Sequence, residues 1–242
     1  MDSITINQRQ IPFTLRRSSR AKRLRLQVNT EEHRIVLTVP RFVLKFQVDR
    51  FLEEKTPWIA KQWAKVEKQS KLRPKPKYLD GDTFYYFGEP LTLQLIPSYL
   101  NKPIVRVHDD KMQISVYRYI SKSEGVKMIK KAIQEFYKNK ASETIHDRLE
   151  YFNQHYQFHY NRVTFRNQKT RWGSCSGKKN LNFNWRLIMA PIQIIDYVVV
   201  HEMCHLKQMN HSKKYWELVA QRIPNYKETR KWLRKNQFLL KI

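Results

Sequence analysis

The chain has 242 residues, 41% of them hydrophobic and 13% aromatic, a composition that excludes a disordered protein. It has no apolar run near the roughly 20 residues that cross a membrane, and its N-terminus lacks the basic start and apolar core of a signal peptide. The only two cysteines, Cys175 and Cys204, argue against a disulfide framework and predict a location in the reducing cytoplasm.

The net charge of +26 is the second informative property of the composition. Split at residue 120, the N-terminal part holds 23 basic and 12 acidic residues and the C-terminal part 24 and 9, giving +11 and +15. The excess therefore covers the whole chain, and such a surface attracts polyanions, of which nucleic acid is the commonest. DNA or another nucleic acid is an expected partner; an acidic protein surface and no specific partner are the alternatives.

Residues 3–40 are predicted to form strands, because apolar and polar positions alternate or form short β-rich runs there. Six basic residues and no acidic residue lie between Arg16 and Arg25. They are predicted either to contact the phosphates of a nucleic acid or to form a solvated strand edge whose charges block aggregation. The six are Arg16, Arg17, Arg20, Lys22, Arg23 and Arg25.

Residues 48–69 are predicted to form the first long helix, with an aromatic stripe in the core and Pro57 at a junction between two helical pieces. Two prolines among cations at 71–77 predict a linker or an extended crossing. Strands are predicted again between residues 83 and 119, with a hairpin loop at 108–111.

The C-terminal half begins with a second predicted helix over 123–153, for which Ser123 is the expected N-cap. A strand and a hairpin with a glycine-containing turn follow, directly before an apolar helix that begins at Pro191. A buried helix of this kind is rigid, which fixed ligand geometry requires. Two further helices are expected to pack behind it, the first of them capped by Ser212.

The apolar helix contains His201-Glu202-Met203-Cys204-His205, which is the H-E-x-x-H arrangement. Residues four apart lie about 40° apart around a helix axis, so both imidazoles face the same side. In this arrangement two histidines hold Zn²⁺ and the glutamate is the general base toward water that the metal activates. The pattern predicts one zinc ion per chain, with Glu202 as the catalytic residue.

His211 is predicted as the third ligand, which leaves a fourth position for water, as in catalytic zinc sites. The ligand spacing is that of the metzincin pattern, but Gln208 stands where that pattern has a turn-forming glycine. The chain must therefore leave the helix differently, and Asn210 is expected to take a left-handed conformation there. Glu217 and Glu228 are the alternative acidic ligands.

A set of short motifs resembles the YgjP-like metallopeptidases. The motifs are Arg17-Ser18-Ser19-Arg20-Ala21-Lys22, Thr170-Arg171-Trp172-Gly173-Ser174-Cys175, Asn182, Pro191, Asp196–His205, Asn210-His211-Ser212 and Tyr215-Trp216. The resemblance covers essentially the whole chain and implies a zinc-dependent peptidase of the minigluzincin or SprT-like kind. By position it implies His201, His205 and His211 as ligands and Glu202 as the catalytic acid and base. Related WLM and SprT-like proteases act on protein crosslinked to DNA, which by analogy gives the basic surface a purpose.

The predicted fold class is α+β. A β-rich N-terminal region with one long helix is expected over residues 1–120. A break within this region, near residues 71–78, is the alternative. A zincin-like metallopeptidase domain that carries the H-E-x-x-H helix is expected over 121–242.

The expected reaction is hydrolysis of peptide bonds in a protein or peptide substrate. Because of the basic surface, nucleic-acid-associated proteins are expected among the substrates. Substrate is expected to bind as an added strand, with Arg171, Trp172, Asn182 and Tyr197 as binding residues. Tyr197 or Arg171 would stabilise the oxyanion, and the residues do not choose between them. The alternatives are a nucleic-acid-binding protein with a structural zinc site and no protease activity, and a metal-dependent hydrolase of another substrate. No membrane partner is expected.

Overall fold

The computed structural model describes residues 2–6, 9–29, 34–72, 76–168 and 170–242. The chain divides into two compact units, Met1–Pro74 and Lys75–Ile242. The described residues form a mixed structure with three small sheets and five α-helices, which confirms the α+β class. Among these helices, none is long and apolar enough to cross a membrane.

The first unit is a four-stranded sheet followed by one helix. Its elements are β1 Asp2–Ile6, β2 Arg9–Ser18, β3 Arg25–Asn29, β4 Arg34–Pro40 and α1 Lys45–Leu72. The strand order is β1-β2-β4-β3, in which the two outer pairs are antiparallel and β2 is parallel to β4. Alternate residues of β4 (Ile35, Leu37 and Val39) are fully buried, as the period of two predicts.

Helix α1 continues through Pro57, so the expected junction between two helical pieces is wrong. A proline removes one main-chain donor from a helix, and here the Thr56 hydroxyl donates to the Leu52 carbonyl oxygen at 2.9 Å beside it. The buried face of the helix includes Ile59, whereas Trp58 is 41% exposed. The aromatic stripe is therefore not wholly core, and one indole faces solvent.

The second unit begins with another four-stranded sheet and a long helix. These elements are β5 Thr83–Tyr86, β6 Glu89–Ser98, β7 Val105–His108, β8 Lys111–Tyr117 and α2 Lys122–Tyr156. The order β5-β6-β8-β7, with antiparallel outer pairs and parallel β6 and β8, repeats the arrangement of the first sheet. The ββββα topology thus occurs twice in a chain whose sequence shows no repeat.

Helix α2 begins two residues earlier than expected, because its N-cap is Ser121 and not Ser123. The Glu124 main-chain N–H donates to the Ser121 hydroxyl at 3.4 Å, and that hydroxyl donates to the Glu124 carboxylate at 2.5 Å. The glutamate three residues after the serine has the spacing of a capping box and binds the serine hydroxyl, which favours the first serine over the second.

The remaining elements form a three-stranded sheet and three helices. They are β9 Arg162–Arg166, β10 Gly173–Cys175, β11 Asn180–Asn184, α3 Ile192–Cys204, α4 Lys213–Ala220 and α5 Tyr226–Asn236, with 3₁₀ turns at Trp185–Met189 and Gln237–Leu240. The sheet order is β10-β11-β9, which leaves β10 at an edge. The predicted hairpin of β10 and β11 is present, but the left-handed residue of its turn is Lys179, with a φ of 55°, and not Gly177.

The hairpin that joins β5 and β6 binds directly to the chain that leads into α3. Its turn residues Phe87 and Gly88 have φ angles of 49° and 89°, as a two-residue hairpin turn requires. The Phe87 N–H donates to the Ile188 carbonyl oxygen at 2.9 Å, and the Gly88 N–H to that of Met189 at 3.1 Å. The strands between 83 and 117 therefore share one core with the later helices. The division of the chain differs from the expected boundary at residue 120 and falls within 71–78.

Helix α3 is buried on nearly every side, as its apolar sequence predicted. Val199, Val200 and Met203 have no exposed surface. A half-buried ion pair joins the helix to α2, with Arg148 Nε 2.5 Å from Asp196 Oδ1 and the second pair of atoms 3.0 Å apart. This two-point contact orients the helix that carries the H-E-x-x-H motif.

Candidate metal centre

His201, His205 and His211 come together at the C-terminal end of α3 and in the loop behind it. One ligand nitrogen from each lies within 4.8 Å of the other two, and the Nε2 atoms of His201 and His211 are 3.4 Å apart. Among the described residues, this is the one group of histidine, cysteine and carboxylate side chains with such an arrangement. The alternative ligands Glu217 and Glu228 do not join it.

The chain reaches His211 without a left-handed residue, so the expectation for Asn210 is wrong. Helix α3 ends at Cys204, and His205 follows as its C-cap in the right-handed region. The Gln208 N–H then donates to the Cys204 carbonyl oxygen at 2.9 Å, which closes one more turn before the chain reverses. The reversal is therefore made by further right-handed turns, in which a glycine is not required.

The ring of His205 is oriented by the same turn. Its Nδ1 lies 3.0 Å from the Gln208 carbonyl oxygen, and because a carbonyl only accepts, Nδ1 carries the hydrogen and Nε2 is left as the ligand atom. Burial lowers the pKa of His205, and burial followed by the neighbouring His205 and His211 lowers the pKa of His201 to about 3. Both rings are therefore neutral near pH 7, which is the form that binds a metal.

Two aromatic residues of α4 pack on the histidines. The fully buried Tyr215 stacks on His205, with ring centroids 4.6 Å apart, and its hydroxyl donates to the His201 carbonyl oxygen at 2.9 Å. Trp216 stacks on His211 at 5.6 Å between centroids. In the sequence, only the family resemblance pointed to Tyr215 and Trp216 as residues of the site. The signal that could have placed them there is their position four and five residues after His211, on a helix capped by serine.

Glu202 is only 4% exposed and faces the edge strand β10. A Cβ atom added to Gly173 would lie 2.5 Å from Glu202 Oε1 and 2.6 Å from its Cγ, so the strand and the carboxylate are in direct contact. Burial raises the pKa of Glu202 to about 8, while the charge of Arg171 and a hydrogen bond from the Cys175 main chain lower it. A carboxylate in such a site accepts a proton more readily than one in water.

Of the residues predicted to bind substrate, Arg171 and Tyr197 lie beside the histidines or Glu202. Arg171 is exposed, two residues before β10, and its charge acts on Glu202. Tyr197 is buried on α3 with its ring 5.7 Å from that of His201, and its hydroxyl has no hydrogen-bond partner in the described part of the chain. Burial raises the pKa of Tyr197 to about 12, so this hydroxyl keeps its hydrogen.

The other two predicted substrate residues are engaged within the sheet. The main-chain oxygen of Trp172 accepts from the Asn184 N–H at 2.8 Å, and its side chain packs half-buried against the core. Asn182 lies on the middle strand β11, where its amide oxygen accepts from the Thr164 hydroxyl. Its side chain therefore links two strands and does not project from the edge of the sheet.

Arg230 of α5 is a site residue that sequence reasoning missed. Its guanidinium carbon lies 5.3 Å from the centroid of the Trp216 ring, and its charge lowers the pKa of both His201 and Tyr197. In the sequence it is one of several cations on an amphipathic terminal helix, so no local signal separates it from the rest.

The six basic residues predicted to contact nucleic acid all lie in the first unit and are all exposed. The guanidinium of Arg17 donates to the carbonyl oxygens of Arg41 and Val43 at 3.1 and 3.2 Å, so it fastens a loop. Four of the others line a cavity of about 1270 Å³ that Trp58 also lines. These four are Arg20, Lys22, Arg23 and Arg25.

Comparison with known proteins gives a family and two solved structures. The YgjP-like metallopeptidase domain matches residues 22–236. The chain is similar to the crystal structure of the metallopeptidase zymogen of Pyrococcus abyssi abylysin, with 23% identity over 38% of this chain and 95% of that one and a TM-score of 0.36. It is also similar to the zymogen of Methanocaldococcus jannaschii jannalysin, with 18% identity, 40% and 96% coverage and a TM-score of 0.33. No curated protein matches the chain. Because the family match runs through most of the chain, the protein belongs to the YgjP-like metallopeptidases, metal-dependent hydrolases of protein or peptide substrates.

Proposed function

We propose that this metallopeptidase is a zinc enzyme, with His201, His205 and His211 as the metal ligands and Glu202 as the catalytic residue. The observation that carries the proposal is the convergence of three ring nitrogens within 4.8 Å, next to a buried carboxylate. Three protein ligands leave one position of a tetrahedral ion open, which distinguishes catalytic from structural zinc sites.

The donor set supports zinc in particular. Two nitrogens that bind one tetrahedral Zn²⁺ at about 2.0–2.1 Å are themselves about 3.3 Å apart. The Nε2 atoms of His201 and His211 are 3.4 Å apart, which agrees with that value for one pair, while the ligand atoms of all three histidines lie within 4.8 Å of one another. Neutral imidazoles held by burial and by the Gln208 carbonyl oxygen suit this ion better than Mg²⁺ or Ca²⁺, which prefer oxygen ligands.

The positions of the side chains support the following roles in the reaction. When bound, Zn²⁺ supplies a Lewis acid that acidifies a water molecule and polarises the scissile carbonyl. Glu202 accepts the proton that the attacking water loses and passes it to the leaving amine. Tyr197 donates its unpartnered hydroxyl to the oxyanion, because burial keeps that hydroxyl protonated and its ring lies 5.7 Å from His201.

The substrate chain is proposed to bind along β10, where Gly173–Cys175 form the outer strand of the three-stranded sheet. An extended peptide can pair with such an edge through main-chain hydrogen bonds. The contact of Gly173 with Glu202 would bring the paired peptide bond next to the proton acceptor. Arg171 and the exposed half of the Trp172 side chain lie just before this strand and are proposed to contact the substrate.

Metal analysis and cleavage assays on three proteins test the proposal: wild type, Glu202→Gln and Glu217→Gln. We expect one zinc per chain in all three, cleavage of unfolded protein by wild type and Glu217→Gln, and no cleavage by Glu202→Gln. Glu217 is a matched control because it is an exposed glutamate of α4 whose carboxylate lies 3.9 Å from Lys213 Nζ. Full activity of Glu202→Gln would contradict the mechanism, and metal-free preparations with full activity would contradict the zinc site.

We further propose that the first unit binds nucleic acid, which would direct the peptidase to nucleic-acid-associated proteins. The supporting observation is the cavity of about 1270 Å³ lined by four exposed cations together with Trp58, which is 41% exposed. Cations contact phosphates and an exposed indole stacks on a base, the combination that single-stranded nucleic acid requires. Covalent linkage of the two units would then raise the concentration of bound proteins near the active site.

Fluorescence anisotropy with a labelled single-stranded DNA tests this second proposal. Replacing Arg20, Lys22 and Arg23 with alanine should weaken binding and flatten its salt dependence, because fewer counterions are released. The control replaces Lys61, Lys65 and Lys68, which are exposed cations of the same unit that do not line the cavity. Equal losses in both triple variants would point to net charge alone. Cleavage of a DNA-bound protein that DNA stimulates, and that Glu202→Gln lacks, would connect the two proposals.

A further inference from the structure

Arg230 is an exposed arginine that aromatic rings hold beside the metal centre. Its guanidinium lies over the ring of Trp216, and the same ring stacks on the proposed ligand His211 with an interplanar angle of 25°. Tyr226, one turn earlier on α5, also stacks on Trp216, with centroids 4.9 Å apart and an angle of 13°. Trp216 therefore contacts both the Arg230 guanidinium and the ring of the proposed ligand His211.

The hydrogen-bond donors of Arg230 are unused in the described part of the chain, where it makes no ion pair and no side-chain hydrogen bond. Arg148 and Arg17, by contrast, are engaged: Arg148 binds Asp196 with two hydrogen bonds, and Arg17 donates to two carbonyl oxygens. A guanidinium is a planar fork of donors that matches the two oxygens of a carboxylate. An unpaired one at the rim of a catalytic site is therefore available to a ligand.

The charge around the site has the sign that such a ligand requires. Arg171 acts on Glu202 from the side of β10, and Arg230 acts on His201 and Tyr197 from the side of α5. Glu202 acts with the opposite sign on Tyr197, and also on Tyr215, and it has the proposed catalytic role. A substrate carboxylate near these arginines is attracted, whereas a substrate cation is repelled.

We propose that Arg230 binds a carboxylate of the substrate, so that the enzyme selects peptides with an acidic group close to the scissile bond. This inference rests on the proposed function of the same site and specifies the substrate class. The carboxylate is the side chain of Asp or Glu, or the C-terminal carboxylate of the peptide. Both offer the same two oxygens, so the peptides of the test must separate them.

The test measures binding of fluorescein-labelled peptides to zinc-loaded Glu202→Gln protein, which is expected not to cleave them. Four otherwise identical peptides carry a central Glu or Gln and either a free or an amidated C-terminus. We expect the Glu peptides, or the peptides with a free C-terminus, to bind about tenfold tighter or more, the range for charge-assisted hydrogen bonds. In the Glu202→Gln protein, the further substitution Arg230→Gln should abolish this difference in affinity, and Arg230→Lys should keep part of it.

Arg234→Gln is the control, because Arg234 is an exposed arginine on the same helix one turn further from Tyr226. It should leave the preference unchanged. Equal binding of all four peptides, or a preference that survives Arg230→Gln, would overturn the inference. Cleavage of the same peptides by the wild type separates this outcome from failure of the proposed function. Cleavage without an acidic preference contradicts only the role of Arg230, and an Arg230-dependent binding preference without any cleavage contradicts only the peptidase mechanism.

Discussion

Gly173 and Glu202 touch so closely that no side chain fits between them: a Cβ atom at residue 173 would lie 2.5 Å from Glu202 Oε1. Because Glu202 is 4% exposed, it cannot swing into solvent to make room. We therefore expect Gly173→Ala to displace the carboxylate and to lower kcat/KM by about a hundredfold, since displacements near 1 Å have effects of that size. The zinc content should not change, because the three histidines are not displaced.

Gly177→Ala is the matched control for this substitution. Gly177 lies in the turn of the same hairpin, and a Cβ atom there would meet nothing within 4 Å. Its kcat/KM should equal that of the wild type. If Gly173→Ala cleaves as fast as Gly177→Ala, the position of Glu202 does not depend on the glycine.

A second expectation concerns Gly88, whose main chain is left-handed and whose added Cβ would lie 2.6 Å from Pro191 Cγ. Gly88→Ala should lower the free energy of unfolding by about 3 kcal/mol, from left-handed strain and overpacking together. Gly81→Ala, which has the strain but nothing within 4 Å, should cost only about 1 kcal/mol. Urea unfolding measures both. Equal losses would mean that the hairpin tip is not held against the start of α3.

A third expectation compares two buried tyrosines that each donate to a carbonyl oxygen. The Tyr215 hydroxyl binds His201 at 2.9 Å, and the Tyr156 hydroxyl binds Leu218 at 2.8 Å. Each Tyr→Phe variant should lose about 1 kcal/mol of stability, the net value of one hydrogen bond. Only Tyr215→Phe should also weaken zinc binding, by about tenfold, because it loosens a ligand-bearing residue. Competition with a chelating dye measures the affinity, and equal affinities in the two variants would contradict this role.

A fourth expectation concerns pH and the thiols. Burial, followed by the charge of Glu202, raises the pKa of Cys175 from 9.0 to about 11, and burial raises that of Cys204 to about 12. At pH 9 the thiolate fraction of Cys175 should be about fiftyfold smaller than that of an unfolded cysteine, and alkylation by iodoacetamide slower in proportion.

The raised pKa of Cys175 also makes the free energy of unfolding depend on pH. A raised thiol pKa means that the folded state favours the protonated form, so this contribution is present below pH 9 and is lost as pH rises through about 11. Between pH 9 and about 11, the free energy of unfolding of Cys175→Ala should therefore fall less than that of the wild type. Alkylation of the folded protein at the rate of the urea-unfolded protein would contradict both statements.

The convergence of the histidines was accessible from the sequence because it depends on local geometry. Two residues four apart on a helix must share a face, and His211 follows within one further reversal of the chain. The conformation of that reversal was not accessible, since right-handed turns after Cys204 replaced the expected left-handed Asn210. A sequence indicates the presence of a chain reversal more reliably than it indicates the backbone conformation of that reversal.

The expected boundary at residue 120 differs from the division between Pro74 and Lys75 for a nonlocal reason. Strand patterns between 83 and 117 look like those between 3 and 40, and nothing in them shows that the tip at Phe87 and Gly88 binds residues a hundred positions later. Gly173 did carry a signal, because a glycine inside a strand often marks close approach of another group. Arg230 carried none, since its role depends on rings contributed by α4 and α5.

The repeated ββββα topology has a consequence for how the chain reaches its native state. Two sets of strands with the same order and similar lengths, on one chain, can exchange partners while both are still unpaired, and such misassembly is characteristic of repetitive proteins. The central strands nevertheless differ, with Ile35, Leu37 and Val39 buried in β4 and Met112 and Ile114 in β8. Divergence of the two cores therefore discriminates against swapped strands, because a side chain that fills one core leaves a void or a clash in the other.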